Sequence, residues 1–230
     1  MIPLRDTNRS QTVPFITIML IVLNGLVFLY ELSLGRQLTR LFYVFGVVPS
    51  FYFSSQYWET AGLLVGILPL FTSMFLHGGW LHFLGNMLYL WVFGDNVEDR
   101  LGHWRFFLFY MVCGLAAALL HIVTNSSSRL PTVGASGAIA GVLGGYLVLY
   151  PGARVLTLFP ILFFFQLIEV PALLFLGFWF VMQFFSGAMS LTAGANVGGT
   201  AWWAHIGGFC TGMVLVWRYR NRGRTRVYHY

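Results

Sequence analysis

Lysine does not occur in this chain of 230 residues, charged residues make up only 9%, and cysteine occurs twice. A typical soluble domain carries roughly 25% charged residues. With 58% of the residues hydrophobic, the shortage of charge excludes a globular domain bathed on all sides by water, and lipid must be the solvent for part of the chain. The absence of lysine leaves the net charge of +6 to arginine alone. The two cysteines, Cys113 and Cys210, sit inside apolar runs, so no extracellular disulfide framework is expected. Five arginines fall in the last thirteen residues, "RYRNRGRTRVYHY". A basic tail can signal nucleic acid. Directly after an apolar helix it reads instead as an anchor beside anionic lipid. The bilayer is therefore the expected partner and nucleic acid is not.

Six spans are predicted, at about 14–32, 82–94, 104–123, from Ser136 to before Pro151, 171–187 and 201–217. The first reads as a span rather than a cleavable signal peptide. Residues 33–81 are aromatic-rich and broken by Gly46, Pro49, Gly62, Gly66 and Pro69, which predicts a long structured loop with interfacial helices. Within it, "ETAGLLVGILPLF" is too short and too interrupted for a span. The segment "ARVLTLFPILFFFQLIEV" is divided by Pro160 and Glu169. It is read as interfacial, with Glu169 near the positive end of the fifth helix and Pro171 in that helix's first turn. With the N-terminus inside, ten arginines are cytoplasmic (Arg5, Arg9, Arg100, Arg105, Arg154 and the five of the tail) and three are outside (Arg36, Arg40, Arg129). That bias places both termini in the cytoplasm. No internal repeat supports an inverted-repeat transporter.

Polar and ionisable residues inside spans are costly and are functional candidates by default. Ser136 stands in "GASGAIAG", at the start of a helix of about 22 Å, shorter than the roughly 30 Å of hydrocarbon. Ser136 is thereby recessed below the outer surface, and the polar loop "NSSSRLPTVGA" must dip in with it, which is tolerated only against protein or water. Free backbone N–H groups and a positive dipole end suit a developing oxyanion there. The plainer reading is an N-cap serine before a packing helix, since Gly137, Gly141 and Gly145 form a small-residue face for helix packing. His205 precedes Gly208 and Gly212 on one face of the sixth span. If the two glycine faces meet, a serine and a histidine at similar depth form the nucleophile and base pair of acyl-transfer chemistry. His82 and Asn86, at i and i+4, share a face and could both donate to an oxyanion; the plainer reading is polar glue between helices. His77 and His82 lack the spacing and glutamate of a zinc protease and a third ligand, so no metal is expected.

The motifs "FLHGGWLHFLGN", "GDNVEDRLG", "GASGAIAG" and "AHIGGFCTG", in this order within residues 14–217, resemble those of the rhomboid family of intramembrane serine proteases, bacterial type. The resemblance implies an all-α membrane protein with a six-helix rhomboid core and a long structured first loop. It implies one membrane domain over residues 1–230, with a cytoplasmic N-terminus at 1–13 and a basic cytoplasmic tail at 218–230. Ser136 would be the nucleophile and His205 the general base, a dyad without aspartate and without cofactor or metal. The oxyanion hole maps onto His82, Asn86 and the backbone N–H of Ser136, and Glu98 and Arg100 would be structural ties. Substrates would be other membrane proteins, cut in or near a transmembrane helix, and a compact core fits a bacterial inner-membrane protein. Two positions depart from the pattern: Trp58 is followed by Glu59 rather than arginine, and Ala140 stands where some bacterial members carry a tyrosine stacked on the histidine. An aromatic such as Trp91 or Trp179 would then have to orient His205. The alternative is an inactive rhomboid-like protein that binds membrane clients, although such relatives usually lack the serine or the histidine. The aromatic stretch "FLGFWFVMQFF" of the fifth span and the glycine-rich loop after it suggest a lateral gate, or simply a lipid-facing surface.

Overall fold

The structure, a computed structural model, describes residues 1–161, 164–190 and 201–220. The chain opens with strand β1 (Ile2–Asp6) and enters helix α1 (Phe15–Ser33) directly after Pro14. One stripe of α1 is buried, running through Leu20, Asn24, Phe28 and Glu31 at helical spacing. Leu26 and Leu29, on the outer side, are about 60% exposed, as lipid contact requires. The long first loop holds α2 (Leu38–Phe45), a 3-10 turn at Pro49–Phe53, α3 (Ser55–Ile67) and α4 (Pro69–Thr72). The backbone of α3 leaves helical geometry at Gly62, with φ 69°.

Next come α5 (Trp80–Leu101), α6 (His103–Thr124), α7 (Ser136–Leu149), α8 (Ala172–Ser190) and α9 (Trp202–Val216). Among the described residues, α1, α6 and α8 are each long and apolar enough to cross a membrane. The segment Ser55–Ile67 with Pro69–Phe75 reaches that standard only as a pair bent by 46°. The core is α7, in which every residue from Gly137 to Tyr146 is buried. It packs against α5, α6, α8 and α9. The chain is an integral, multi-pass, mostly helical membrane protein.

One segment differs from the reading of the sequence. Strands β2 (Arg154–Ile161) and β3 (Phe164–Pro171) pair antiparallel, and β1 pairs with β2 to complete a three-stranded sheet. Pro171 is therefore the last residue of a strand, with α8 starting at Ala172. Glu169 is opposite Leu156 in the ladder, and its carboxylate Oε2 lies 3.3 Å from Nε of Arg154. The physical reason is a partner remote in sequence: residues 2–6 supply ladder hydrogen bonds to β2, and a β-branched and aromatic run favours the pleat.

At the end of the helical bundle nearest this sheet, polar ties lock the elements together. Glu98 of α5, fully buried, accepts the N–H groups of Ile16 and Thr17 at 2.8 Å each and the Thr17 hydroxyl at 2.7 Å. These N–H groups lie in the first turn of α1, where a helix has no internal acceptors and favours negative charge. Arg100 donates to the carbonyls of Tyr219 and Arg220 beyond α9. Tyr146 of α7 donates to Asp6 of β1, and Asn96 of α5 donates to the same carboxylate.

Candidate active site

Helix α7 has 14 residues, hence a length of about 21 Å, and Ser136 is its first. The irregular chain before it is stitched to the first loop by backbone hydrogen bonds. Val47 and Thr132 exchange both bonds at 2.9 and 2.7 Å, Ser50 donates to the Ser128 carbonyl at 2.9 Å, and Gly134 donates to that of Ser73 at 2.8 Å. Irregular backbone can lie deep in such a fold because protein, rather than lipid, satisfies it. Gly134 has φ +135°, and a Cβ there would sit 2.6 Å from His82 Nε2 and 3.6 Å from Ser136 Oγ. The missing side chain lets the His82 ring press against the backbone that leads into the serine.

His205 reaches the same place from α9. The helices α7 and α9 meet backbone to backbone: a Cβ on Gly208 would lie 1.9 Å from the Gly137 carbonyl oxygen, and one on Gly212 1.9 Å from that of Gly141. Gly137 and Gly141 also face α6, at Ala117 and Cys113, and Gly145 faces Phe109. At this separation His205 Nε2 lies 2.8 Å from Ser136 Oγ. Its other nitrogen, Nδ1, lies 2.6 Å from Oε1 of Gln183 on α8. His205 and Gln183 are buried, and among the described residues neither ring nitrogen of His205 is bonded to a carboxylate. With an amide oxygen accepting, Nδ1 carries the hydrogen and Nε2 is left as the acceptor that faces the serine hydroxyl. Trp179 lies 5.7 Å from the His205 ring and Trp202 meets it edge-on at 6.3 Å.

His82 and Asn86 project from α5 into the same cleft, a space of about 1190 Å³ also lined by Ser136, His205, Tyr89 and Trp179. His82 Nδ1 accepts the Gly78 N–H at 3.4 Å. The Asn86 amide nitrogen is buried and has no hydrogen-bond partner among the described residues. Chemically, the arrangement is a hydroxyl on a histidine nitrogen, beside an unpaired amide donor and the N-terminus of a helix. His77 is buried with its ring 5.2 Å from that of His82, and among the described residues no three His, Cys, Asp or Glu side chains converge as a metal site.

The family profile described as Rhomboid domain matches residues 54–222, most of the chain and the whole of this site. The chain belongs to the rhomboid family. Rhomboid protein 1, mitochondrial, of Saccharomyces cerevisiae is 34% identical over 152 residues, which is 63% of this chain and 40% of that protein. Rhomboid protease GluP of Bacillus subtilis is 33% identical over 141 residues, 61% of this chain and 25% of that protein. RHOMBOID-like protein 5 of Arabidopsis thaliana is 38% identical over 78 residues, 34% of this chain and 25% of that protein. This rhomboid thus spans at most two fifths of the length of these relatives.

Two side chains of the rhomboid site escaped the reading of the sequence. Gln183 lies in an aromatic stretch of α8, and Glu31 lies near the end of α1 with its carboxylate accepting the His77 N–H at 3.0 Å. The signal for both was available: a polar or charged group inside an apolar span. Of the two aromatics expected near His205, Trp179 packs on it, whereas Trp91 is 58% exposed on α5. The glycine-rich stretch suggested as a loop, 186–200, is helical in α8 as far as Ser190, and 191–200 lie outside the described residues, as does the tail from residue 221.

Proposed function

We propose that this rhomboid is an intramembrane serine endopeptidase that cleaves transmembrane or juxtamembrane segments of other membrane proteins. The observation that carries the reading is the 2.8 Å approach of His205 Nε2 to Ser136 Oγ in a cleft lined by residues of α5, α7, α8 and α9. A substrate segment unwinds locally and presents a carbonyl carbon to Ser136 Oγ. His205 Nε2 takes the hydroxyl proton as the Oγ–C bond forms, then gives it to the leaving amine nitrogen as the peptide C–N bond breaks. Water repeats the sequence on the acyl-enzyme and restores the serine. The negative charge on the tetrahedral oxygen falls to His82, the unpaired Asn86 amide and the backbone N–H of Ser136.

The same reading gives one membrane domain over the chain, with six spans and both termini in the cytoplasm of a bacterial inner membrane. Arginine asymmetry supports the orientation. The family name carried by GluP of Bacillus subtilis, a protease, supports the reaction class. The test is cleavage of a labelled single-span substrate by the purified protein in liposomes. Ser136→Ala and His205→Ala are expected to abolish it, and a serine-directed fluorophosphonate to label Ser136. Near-normal cleavage by either variant refutes the dyad.

A further inference from the structure

We infer that Gln183 is the positioning residue of the pair: its side-chain oxygen holds His205 in the tautomer and ring orientation from which Nε2 can accept the serine proton. The inference rests on the Ser136–His205 reading above.

Neutral imidazole has two tautomers, and the hydrogen bond made by one nitrogen decides the state of the other. Only the form with hydrogen on Nδ1 leaves a lone pair on Nε2 for Ser136. Among the described residues no carboxylate is bonded to Nδ1 to select that form. The two tryptophans, Trp179 and Trp202, confine the ring plane, but a ring face has no preference between tautomers. Among the described residues, Gln183 Oε1 is the acceptor at Nδ1, at 2.6 Å.

The position of Gln183 favours the same conclusion. It is only 7% exposed, on a helix whose other polar side chains are Ser186 and Ser190. A buried amide without a partner is costly, so a glutamine at this depth needs the bond it makes. One turn further along, the Gly187 carbonyl accepts the Trp203 indole N–H at 3.2 Å, and Gly187 packs on Trp202 and Ile206. The segment of α8 that carries Gln183 is thereby fixed to the segment of α9 that carries His205. A neutral amide sets geometry without adding charge, so His205 is oriented but lacks the stabilisation that a carboxylate gives to imidazolium.

The test uses the full chain in liposomes with Gln183→Met, which keeps length and removes the acceptor, and Gln183→Glu, which keeps the acceptor and adds charge. Gln183→Met is expected to lower kcat about 10- to 100-fold with KM unchanged. Gln183→Glu is expected to stay within a few-fold of wild type and to move the acidic limb of the pH–rate profile to higher pH, because a carboxylate stabilises protonated His205. Wild-type kcat in Gln183→Met overturns the inference. So does equal impairment of both variants with the acidic limb in place, which marks a packing role; this comparison decides the matter even if Gln183→Met folds poorly. Cleavage that survives Ser136→Ala and His205→Ala refutes the dyad itself, whereas dyad-dependent cleavage indifferent to Gln183→Met overturns only the role given to Gln183.

Discussion

Replacing Gly208 with alanine asks whether the glycine contact between α7 and α9 sets the serine–histidine distance. A Cβ at Gly208 would lie 1.9 Å from the Gly137 carbonyl oxygen and 3.3 Å from the Gly141 nitrogen. The closest comfortable approach of carbon to a carbonyl oxygen is about 3.3 Å, so the shortfall is roughly 1.4 Å. The obstacle is helix backbone, which cannot rotate aside as a side chain can. The helices must therefore separate by about that amount near one turn from the site. Added to the 2.8 Å between His205 Nε2 and Ser136 Oγ, this carries the pair to about 4 Å, beyond hydrogen-bond range. A displacement of this size costs about 100-fold in rate, and the overpacking itself about 1–3 kcal/mol of stability. The control is Gly177→Ala on α8, where an added Cβ meets nothing within 4 Å and alanine favours the helix by up to about 1 kcal/mol. Cleavage of a labelled single-span substrate and thermal melting are measured on both. Cleavage by Gly208→Ala within threefold of wild type, with unchanged melting, refutes the claim that these glycines hold the pair together.

Asn86→Ala is expected to lower kcat about 100- to 1,000-fold without changing the melting temperature, because its unpaired amide is assigned to the oxyanion; an unchanged kcat removes it from that role. Burial raises the Asp6 carboxyl above its ordinary value of 3.8, against the lowering effect of hydrogen bonds from Tyr146, Asn8 and Asn96. The folded state then binds this proton more tightly than the unfolded chain. Docking of β1 is expected to be strongest below that ordinary value and to weaken as pH rises through the raised one. A spin label on the exposed Leu4 should gain mobility over that interval, and Asp6→Asn should flatten the response; the same response in Asp6→Asn would point to another group.

Scarcity of charge and the length of the apolar runs were enough to make lipid the solvent and to place α1, α6 and α8. Single polar residues in apolar runs singled out Ser136, His205, His82 and Asn86, because burial in a membrane makes such residues expensive wherever they occur. Glycines at spacings of three and four marked the faces of α7 and α9 that could approach closely. These are local properties of a helix, readable without knowing its neighbours. What touches those faces is not local. The distance between Ser136 and His205 depends on which glycines stand opposite which carbonyls. Gln183 gained a role only when α8 was laid beside α9, and Glu31 only when α1 met the turn at His77. The strand pair at 154–161 and 164–171 is the clearest case. Its composition suits a membrane interface as well as a strand, and the choice was made by residues 2–6, more than a hundred positions away, whose backbone groups complete its ladder.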